Sequence, residues 1–359
     1  MLYELLVPLA KYHTAFNVFR YITFRTAMAT VTALVISFIL GPWLINRLRQ
    51  MQHGESSVRE DTPERHRAKA GTPTMGGIGI LVALLASTLL WANLRNRYVW
   101  VLILATVGLG LIGLKDDWKK LKTRRGISAR EKFGAQILLV GLLMGWLYFW
   151  PPDGFTTSVV IPFFKGWLLT FGGMWVGFAI LVIVGSSNAV NLTDGLDGLA
   201  IGPIVTAGGA FAVIAYLTGN FRAAEYLRIL NVKGTGELTI FCGALVGAAL
   251  GFLWFNSYPA QVFMGDVGSL ALGGALGTLA VLTKSELLLP LIGGIYVVEA
   301  ASVIIQVASF KMTGRRVFRM APLHHHYEIK GWAEPKIIVR FWILSFMLAL
   351  LALTTLKLR

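Results

Sequence analysis

The stretch LTIFCGALVGAALGFLWFN, residues 238–256, runs for nineteen residues without a charged side chain. At about 1.5 Å per residue, a helix of this length reaches about 28 Å, close to the thickness of the hydrocarbon core of a bilayer. Trp254 and Tyr258 lie at its end, where aromatic residues typically meet the membrane interface. The stretch therefore predicts a transmembrane helix.

Nine other apolar runs have similar length and composition. Hydrophobic residues make up 55% of the 359-residue chain, charged residues make up 14%, and the mean hydropathy is +0.66, far above that of a soluble globular protein. The prediction is an all-α polytopic membrane protein with ten transmembrane helices, in which residues 1–359 form a single integral membrane domain. The ten runs lie roughly at 22–45, 75–94, 98–114, 133–150, 168–185, 198–218, 238–256, 267–283, 287–310 and 337–356.

The first run argues against a cleaved signal peptide, and the single cysteine argues against sites built from cysteines. Arg20 and Arg25 precede most of the first run, but no small-residue cleavage site follows it, so a retained helix is predicted and not a signal peptide. Cys242 is the only cysteine and lies inside an apolar run. A disulfide framework and a cysteine-ligated zinc site are therefore excluded.

The basic residues predict the orientation of the helices. Twenty of the 33 lysine and arginine residues lie in the loops 46–74, 115–132 and 311–336. With ten spans these loops are on one face, which the positive-inside rule makes cytoplasmic, so both termini are predicted to be periplasmic. The net charge of +15 is therefore read mainly as a signal of topology. Nucleic acid is not expected as a partner, because no soluble basic domain is present.

The external loops and a glycine repeat carry further predictions. Residues 151–154 predict a turn that opens an external loop to about 167, with a short hairpin, and residues 219–237 predict a second loop with a short helix. Glycines 243, 247 and 251 repeat every four residues and leave one helix face without bulk. That face favours close packing within the chain, with a homodimer seam as the alternative.

Five polar stretches hold most of the reactive side chains. With the predicted topology they all fall on the cytoplasmic face, although the charge count did not require it. Polar groups next to the membrane are costly and usually mark a working site, so one composite site is the simplest interpretation. The stretches are KAGTPTMGG (69–77), KDDWKK (115–120), NAVNLTDGLDGL (188–199), FMGDVGS (263–269) and APLHHHYE (321–328).

The aspartates provide candidate metal ligands and bases. Asp116 and Asp117 point about 100° apart if helical, so one can face a metal while the other accepts a proton; a solvated helix end is the alternative. Asp194 and Asp197 have no lysine or arginine in their loop, which leaves them free for a metal or a nucleoside, unless they are helix caps. Asp266 lies between two glycines, and its hard oxygen ligand suits Mg²⁺ with substrate phosphates.

The histidine run and its neighbours complete the inventory. At least one of residues 324–326 can bind or protonate a phosphate oxygen, with a solvated loop as the alternative. Gln306 lies near the cytoplasmic end of the ninth span and can reach the site, whereas the buried acid Glu299 has no assigned role. Acids of the Mg²⁺ type, basic loops and a membrane location favour phosphoryl transfer to or from a lipid.

These motifs resemble the bacterial phospho-N-acetylmuramoyl-pentapeptide transferases, from about residue 20 to the C-terminus. The wider superfamily of polyprenyl-phosphate N-acetylhexosamine-1-phosphate transferases shares the paired aspartates and the NxxDGxDGL-type loop. The APLHHHYE and KAGTPTMGG stretches resemble the muramoyl-pentapeptide branch. The resemblance implies a Mg²⁺-dependent enzyme of the bacterial cytoplasmic (inner) membrane, which transfers phospho-MurNAc-pentapeptide from UDP-MurNAc-pentapeptide to undecaprenyl phosphate and forms lipid I and UMP.

The resemblance also implies residue roles. Asp116, Asp117 and Asp266 match the catalytic acids, with Asp266 as the Mg²⁺ ligand and His324 as a further catalytic candidate. Phe263 is expected to stack on uracil. The other uridine-pocket positions are Lys69, Asn191, Asp194, Gly195, Leu196 and Asp197, and other contacts to substrate or inhibitor are expected from Thr74, Asn256, Gln306, His324 and His325.

Several alternatives stay open at this point. In the mechanism first expected, Asp117 or Asp116 deprotonates the lipid phosphate, which attacks the sugar-side phosphorus directly; a two-step path through an aspartyl-phosphosugar is the alternative. A sister transferase that uses UDP-GlcNAc is a second enzyme interpretation, and a lipid transporter is the non-enzymatic one. The expected partners are the two substrates and membrane lipid, with a second copy of the chain and nucleoside-antibiotic or protein inhibitors as further candidates.

Overall fold

The computed structural model describes residues 1–52, 71–162, 164 and 167–358, and it is 75% helical. Short 3₁₀ turns cover Val7–Lys11, Thr14–Arg20 and Thr235–Glu237. The only regular strands in the described part are β1 (Ser158–Val160) and β2 (Leu168–Thr170). The helices are α1 (Leu2–Leu6), α2 (Ile22–Met51), α3 (Gly77–Trp91), α4 (Arg97–Thr123), α5 (Ala129–Phe149), α6 (Met174–Thr193), α7 (Ile201–Gly219), α8 (Phe221–Leu227), α9 (Leu238–Asn256), α10 (Gly265–Leu282), α11 (Leu289–Ile292), α12 (Gly294–Thr313), α13 (Leu323–Ile329) and α14 (Glu334–Leu358).

Nine helices within the described ranges are long and apolar enough to cross a membrane. The remaining predicted span, 75–94, forms α3, which is apolar but only 15 residues long. The prediction of an all-α polytopic membrane protein is confirmed. The predicted span 287–310 is wrong as a single helix, because the chain breaks at Gly293 between α11 and α12.

Two helices extend further than predicted, and both extensions carry site residues. The loop expected at 115–132 is helical to Thr123, so Asp116 and Asp117 lie inside α4. The pairing of Asp116 with Lys120 one turn later helps the helix to continue beyond the apolar run. Helix α6 begins later than predicted, because residues 168–170 form β2. It extends past the predicted end at residue 185, however, and ends at Thr193. Asn191 is therefore helical and not in a loop.

The predicted hairpin and the predicted short helix are both confirmed. Strands β1 and β2 pair antiparallel, with Val159 opposite Leu169, and form the short hairpin. The loop 219–237 contains the short helix α8, whose first turn is capped by the side chain of Asn220.

Helix α10 forms the centre of the bundle. Every residue from Val267 to Leu282 is buried, and the helix packs mainly against α4 and α6. Gly113 of α4 makes the closest approach, because a Cβ there would collide with the backbone of Asp266. The two helices thus meet at the level of the predicted catalytic acids.

The C-terminal end of α3 lies at the end of the bundle opposite the acids. The Met1 amine donates to the Leu89 carbonyl at 2.9 Å, near the end of α3. Arg25 donates two hydrogen bonds to the Glu237 carboxylate, at 2.7 and 2.8 Å, ahead of α9. The Lys357 ammonium lies 3.8 Å from the centre of the Tyr226 ring on α8. Both chain termini therefore lie away from the acids.

The glycine stripe of α9 packs against α2 within the same chain. A Cβ at Gly243 would contact Thr26, one at Gly247 would collide with the Thr30 backbone, and one at Gly251 would collide with Ser37. The preferred prediction, packing within the chain, is confirmed. The stripe is occupied and is not available as a homodimer seam.

The Gly247→Val protein is expected to melt at a lower temperature than the wild-type protein. The added side chain meets backbone atoms of α2 that cannot move independently, and such overpacking costs about 1–3 kcal/mol. Thermal unfolding in detergent measures the effect. Gly209→Ala on α7 is the matched control, because nothing lies within 4 Å of the added Cβ and its melting temperature should not fall. Equal melting temperatures for Gly247→Val and wild type would contradict the packing.

Candidate active site

Three carboxylates from two helices meet around two lysine ammonium groups. Lys120 Nζ lies 2.8 Å from Asp116 Oδ2, 3.0 Å from Asp266 Oδ2 and 3.5 Å from Asp117 Oδ1. Lys132 Nζ, from the first turn of α5, lies 3.3 Å from Asp116 Oδ2 and also contacts Asp266 Oδ2. We call these five residues the acid cluster. Asp116 and Asp117 are each only 3% exposed, so the charges compensate one another largely out of water.

The backbone fixes the two aspartates of α4 in different ways. Asp116 Oδ1 accepts a hydrogen bond of 2.7 Å from the Ile127 N–H, in the turn before α5. Asp117 Oδ2 accepts one of 3.0 Å from the Val267 N–H, in the first turn of α10. A carboxylate at this position is favoured by the free N–H groups and the dipole of α10. The adjacent aspartates therefore have different surroundings, as their predicted angular separation requires.

Lys120 and Lys132 are missing from the predicted site residues. In the sequence they belong to a strongly basic loop, which is a signal of topology. Lys120 could have been found, because it lies four residues after Asp116 on what proves to be one helix. No comparable local signal exists for Lys132, which reaches the acids only through the turn between α4 and α5.

Thr74 and Phe263 are brought to the edge of the acid cluster by backbone pairing. The Phe263 N–H donates to the Pro73 carbonyl at 2.8 Å, and the Gly76 N–H donates back to the Phe263 carbonyl at 2.9 Å. Gly265 has a φ of +73°, and a Cβ there would press on both Asp117 Oδ2 and Thr74 Oγ1. The Thr74 hydroxyl thus lies beside Asp117. Lys69, another predicted site residue, lies outside the described residues.

The end of α6 brings two more predicted residues to α10. Asn191 Oδ1 accepts a hydrogen bond of 2.7 Å from the Ser269 hydroxyl. Asp194 follows the last residue of α6, and burial is the main cause that raises the pKa of its carboxyl to about 8. The nearby carboxylates of Asp266, Asp117 and Asp197 raise it further. Asp194 thus lies within electrostatic reach of the acid cluster and is mostly protonated at neutral pH.

Asp194→Asn is expected to change the pH dependence of stability. Because the native pKa of about 8 lies above the ordinary value of 3.8, the native state keeps a proton that the unfolded state loses between about pH 4 and 8. Wild-type stability should therefore fall with rising pH relative to the Asn protein, and the difference should level off above about pH 9. Melting curves without metal from pH 6 to 9 measure this. Asp153→Asn, at a 94% exposed side chain, should show no such trend, and a constant difference for Asp194→Asn would disprove the assignment.

Three further predicted residues hold the turns around the site together. The Leu196 side chain is buried in an apolar cluster with Leu199 and Ile337. Asp197 Oδ2 accepts a hydrogen bond of 3.0 Å from the Ala260 N–H. Asn256 Oδ1 accepts one of 3.0 Å from the Gly198 N–H, and its Nδ2 donates to the Val262 carbonyl at 2.8 Å. These side chains join the Asp194–Gly198 turn to the segment before α10, and their predicted contacts with substrate stay predictions.

The histidine run forms the first turn of α13 and reaches the site through one residue. His324 is 1% exposed, and its Nε2 faces Gly195 so closely that a Cβ there would collide with it. His325 Nδ1 lies 2.7 Å from Glu328 Oε2, and His326 Nδ1 accepts a hydrogen bond from the Arg319 N–H. A solvated loop is therefore wrong for His324. Gln306 bonds to the backbone of Val317 and Phe318, and no contact joins it to the acid cluster.

The chemistry of the cluster fits a magnesium ion bound together with substrate. Among the described residues, no three His, Cys, Asp or Glu side chains are arranged to hold a metal alone. Mg²⁺, however, is usually held by one or two carboxylates with substrate phosphates and water. Asp266 and Asp117 offer such oxygens, and the lysine ammonium groups among these acids show that they already attract positive charge.

Comparison with known proteins relates the whole chain to one group of enzymes. The sequence profile described as "Glycosyl transferase family 4" matches residues 99–284, which contain all five aspartates of the candidate site. The chain is 56% identical to the phospho-N-acetylmuramoyl-pentapeptide-transferase of Syntrophus aciditrophicus (strain SB), with 100% of both chains covered. It is 59% identical to the protein of that name from Desulfatibacillum aliphaticivorans and 55% identical to that from Geobacter sp. (strain M21), again with 100% coverage of both chains.

Proposed function

Since the chain belongs to the phospho-N-acetylmuramoyl-pentapeptide transferases, we propose that its acid cluster performs the transfer for which the family is named. The chain is a membrane transferase that moves phospho-MurNAc-pentapeptide from UDP-MurNAc-pentapeptide to a lipid phosphate, giving lipid I. It thereby serves peptidoglycan synthesis. The observation that carries the site assignment is the Lys120 ammonium, which lies within 3.5 Å of carboxylates from both α4 and α10. Full-length relatives of this identity leave no support for the sister UDP-GlcNAc transferase or the transporter.

Asp117 is the better candidate for the base. Asp116 is engaged by Lys120, Lys132 and the Ile127 N–H, contacts that stabilise its ionised form and leave it a weak proton acceptor. Asp117 accepts the Val267 N–H at Oδ2 and has a longer contact, of 3.5 Å, to Lys120 at Oδ1. In this mechanism Asp117 takes the proton of undecaprenyl phosphate. The freed phosphate oxygen bonds to the sugar-side phosphorus of the diphosphate, and the bond from that phosphorus to the bridging oxygen breaks to release UMP.

The cations of the cluster stabilise the charge that moves in this step. Lys120 and Lys132 are already desolvated and held by carboxylates, so they can donate hydrogen bonds to phosphate oxygens without reorganising. Asp266 would hold Mg²⁺ together with phosphate oxygens of the substrate. The bound ion would supply Lewis-acid neutralisation of the diphosphate and the leaving UMP.

The remaining predicted residues would form the nucleotide pocket. Phe263 is partly exposed and would stack on uracil, and Asp194, mostly protonated, can donate a hydrogen bond. His324 would contact a phosphate oxygen. Roles in substrate binding are proposed in the same way for Lys69, Thr74, Asn191, Gly195, Leu196, Asp197, Asn256, Gln306 and His325.

The same membrane orientation predicted from the sequence is part of the proposal. Helix α3 would be the tenth span, short enough that its ends need support from the residues around Met1 and Phe263. The acid cluster would face the cytoplasm, both termini the periplasm, and the membrane would be the bacterial inner membrane. A homodimer and nucleoside or protein inhibitors stay predictions.

Release of UMP from UDP-MurNAc-pentapeptide tests the function directly. The purified protein should release UMP only with both undecaprenyl phosphate and Mg²⁺, and a chelator should abolish the release. UDP-GlcNAc in place of the substrate is the control and should give none. Absence of UMP under complete conditions would refute the function. UMP formed without the lipid acceptor would instead favour the two-step path through an aspartyl-phosphosugar.

A further inference from the structure

Glu299 is a fully buried acid of α12 to which the sequence assigns no role. Its side chain is 0% exposed, yet it faces no lysine or arginine in the salt bridges of the described residues. Both carboxylate oxygens contact the same residue, His324. Oε1 accepts a hydrogen bond of 3.1 Å from the His324 backbone N–H, and Oε2 lies 3.2 Å from the ring Nδ1. A buried carboxylate is costly unless it is paired, so this double contact is a specific feature of the fold.

The pairing decides which ring nitrogen carries a proton. A carboxylate can only accept hydrogen bonds, so Nδ1 must be the donor to Glu299. The other nitrogen, Nε2, is buried and has no hydrogen-bond partner among the described residues. It points to Gly195, at the turn that follows Asp194, where any side chain would collide with it. A buried nitrogen without a partner is unfavourable in the empty protein and is available for a ligand.

The neighbouring histidines do not have this arrangement. The Nδ1 atom of His325 contacts Glu328 in the same short helix, so that pair is local to α13. His326 is oriented by the Arg319 backbone, which donates to its Nδ1. The contact of His324 joins α13 to α12, and its Nε2 is buried next to Gly195 without a hydrogen-bond partner among the described residues.

We propose that Glu299 is a positioning residue that orients His324 and keeps Nδ1 protonated, so that Nε2 is presented to a phosphate oxygen of the nucleotide substrate. In the imidazolium form both ring nitrogens are donors, so that Nδ1–H bonds to Glu299 while Nε2–H donates to the phosphate oxygen. The arrangement resembles that of a catalytic triad, in which a buried acid orients a histidine and does not deprotonate it. This inference rests on the proposed function, because His324 needs a phosphate ligand to act.

A double-mutant cycle tests the proposal. Glu299→Gln keeps the size but removes the charge and should lower kcat/KM by about 10–100-fold, the usual cost of losing an orienting partner. Glu299→Asp keeps the charge and should recover part of that loss. In the His324→Ala background, Glu299→Gln should cost less than about threefold, because the residue through which it acts is gone.

Glu237→Gln breaks another buried ion pair, with Arg25 at the opposite end of the bundle, and should lower the melting temperature without coupling to His324→Ala. The proposal fails if Glu299→Gln keeps wild-type kcat/KM, or if it costs the same factor with and without His324. If the Gln protein does not fold, the same cycle with Glu299→Asp decides. A wild-type protein that releases no UMP would refute the proposed function instead.

Discussion

The Asp266→Asn protein is expected to lose about 10³-fold in kcat while keeping its fold. Asp266 is the predicted Mg²⁺ ligand and contacts both Lys120 and Lys132. Asparagine has nearly the same shape but no charge, so it binds a hard cation poorly and no longer holds the two ammonium groups. The side chain is 15% exposed at the tip of α10, and the remaining helix is unaffected, so little stability should be lost. UMP release at saturating substrates measures kcat.

An acid on the other side of the bundle provides the control for this change. Asp153 lies in the loop before β1, is 94% exposed, and is 3.9 Å from Lys233. Its replacement by asparagine removes the same charge without reaching the cluster, so kcat should stay at the wild-type value. An Asp266→Asn enzyme within about threefold of wild type in kcat would show that the metal and charge assignments are misplaced.

The Lys120→Gln protein is expected to lose both activity and stability. Removing this ammonium leaves Asp116, Asp117 and Asp266 with Lys132 as the remaining cation of the cluster. Three mostly buried carboxylates that share one cation in place of two cost about 2 kcal/mol, and a lost charge-stabilising donor lowers kcat by about 10²-fold. Thermal unfolding and UMP release measure the two effects on the same preparation.

Lys119→Gln is the matched control, because it removes an adjacent charge on the same helix. Lys119 has none of the contacts to the acid cluster that Lys120 makes, and its change should leave both the melting temperature and kcat near wild type. Equal effects of the two substitutions would mean that only the net charge at the end of α4 matters. In that case the contacts of Lys120 would not explain the activity.

The helices could be predicted from the sequence because length and apolarity are local properties. Residues 238–256 match α9 from end to end. The predictions fail where apolarity alone does not mark the end of a helix. The pairing of Lys120 with Asp116, one turn apart, supports α4 beyond its apolar run, and the break at Gly293 follows Pro290 within a stretch that is apolar throughout.

The site could be predicted only in part, for a similar reason. Acids next to glycines stand out from an apolar sequence, and Asp116, Asp117 and Asp266 do converge. Lys132 and Glu299 contact residues that are distant in the chain, so no local motif predicts their partners. Asn256 is expected to contact the ligand by resemblance, and its role in joining two turns of the fold has no local signal in the sequence.

The burial of α10 is expected to shield the proposed site from changes in the thickness of the bilayer. This helix is surrounded by protein from Val267 to Leu282, so a thinner or thicker membrane cannot pull on it directly. The outer helices α2 and α5 carry exposed apolar residues, such as Ile39 and Leu142, and they would absorb hydrophobic mismatch by tilting. Asp266, at the tip of the shielded helix, would keep its geometry as the lipid composition of the cell changes.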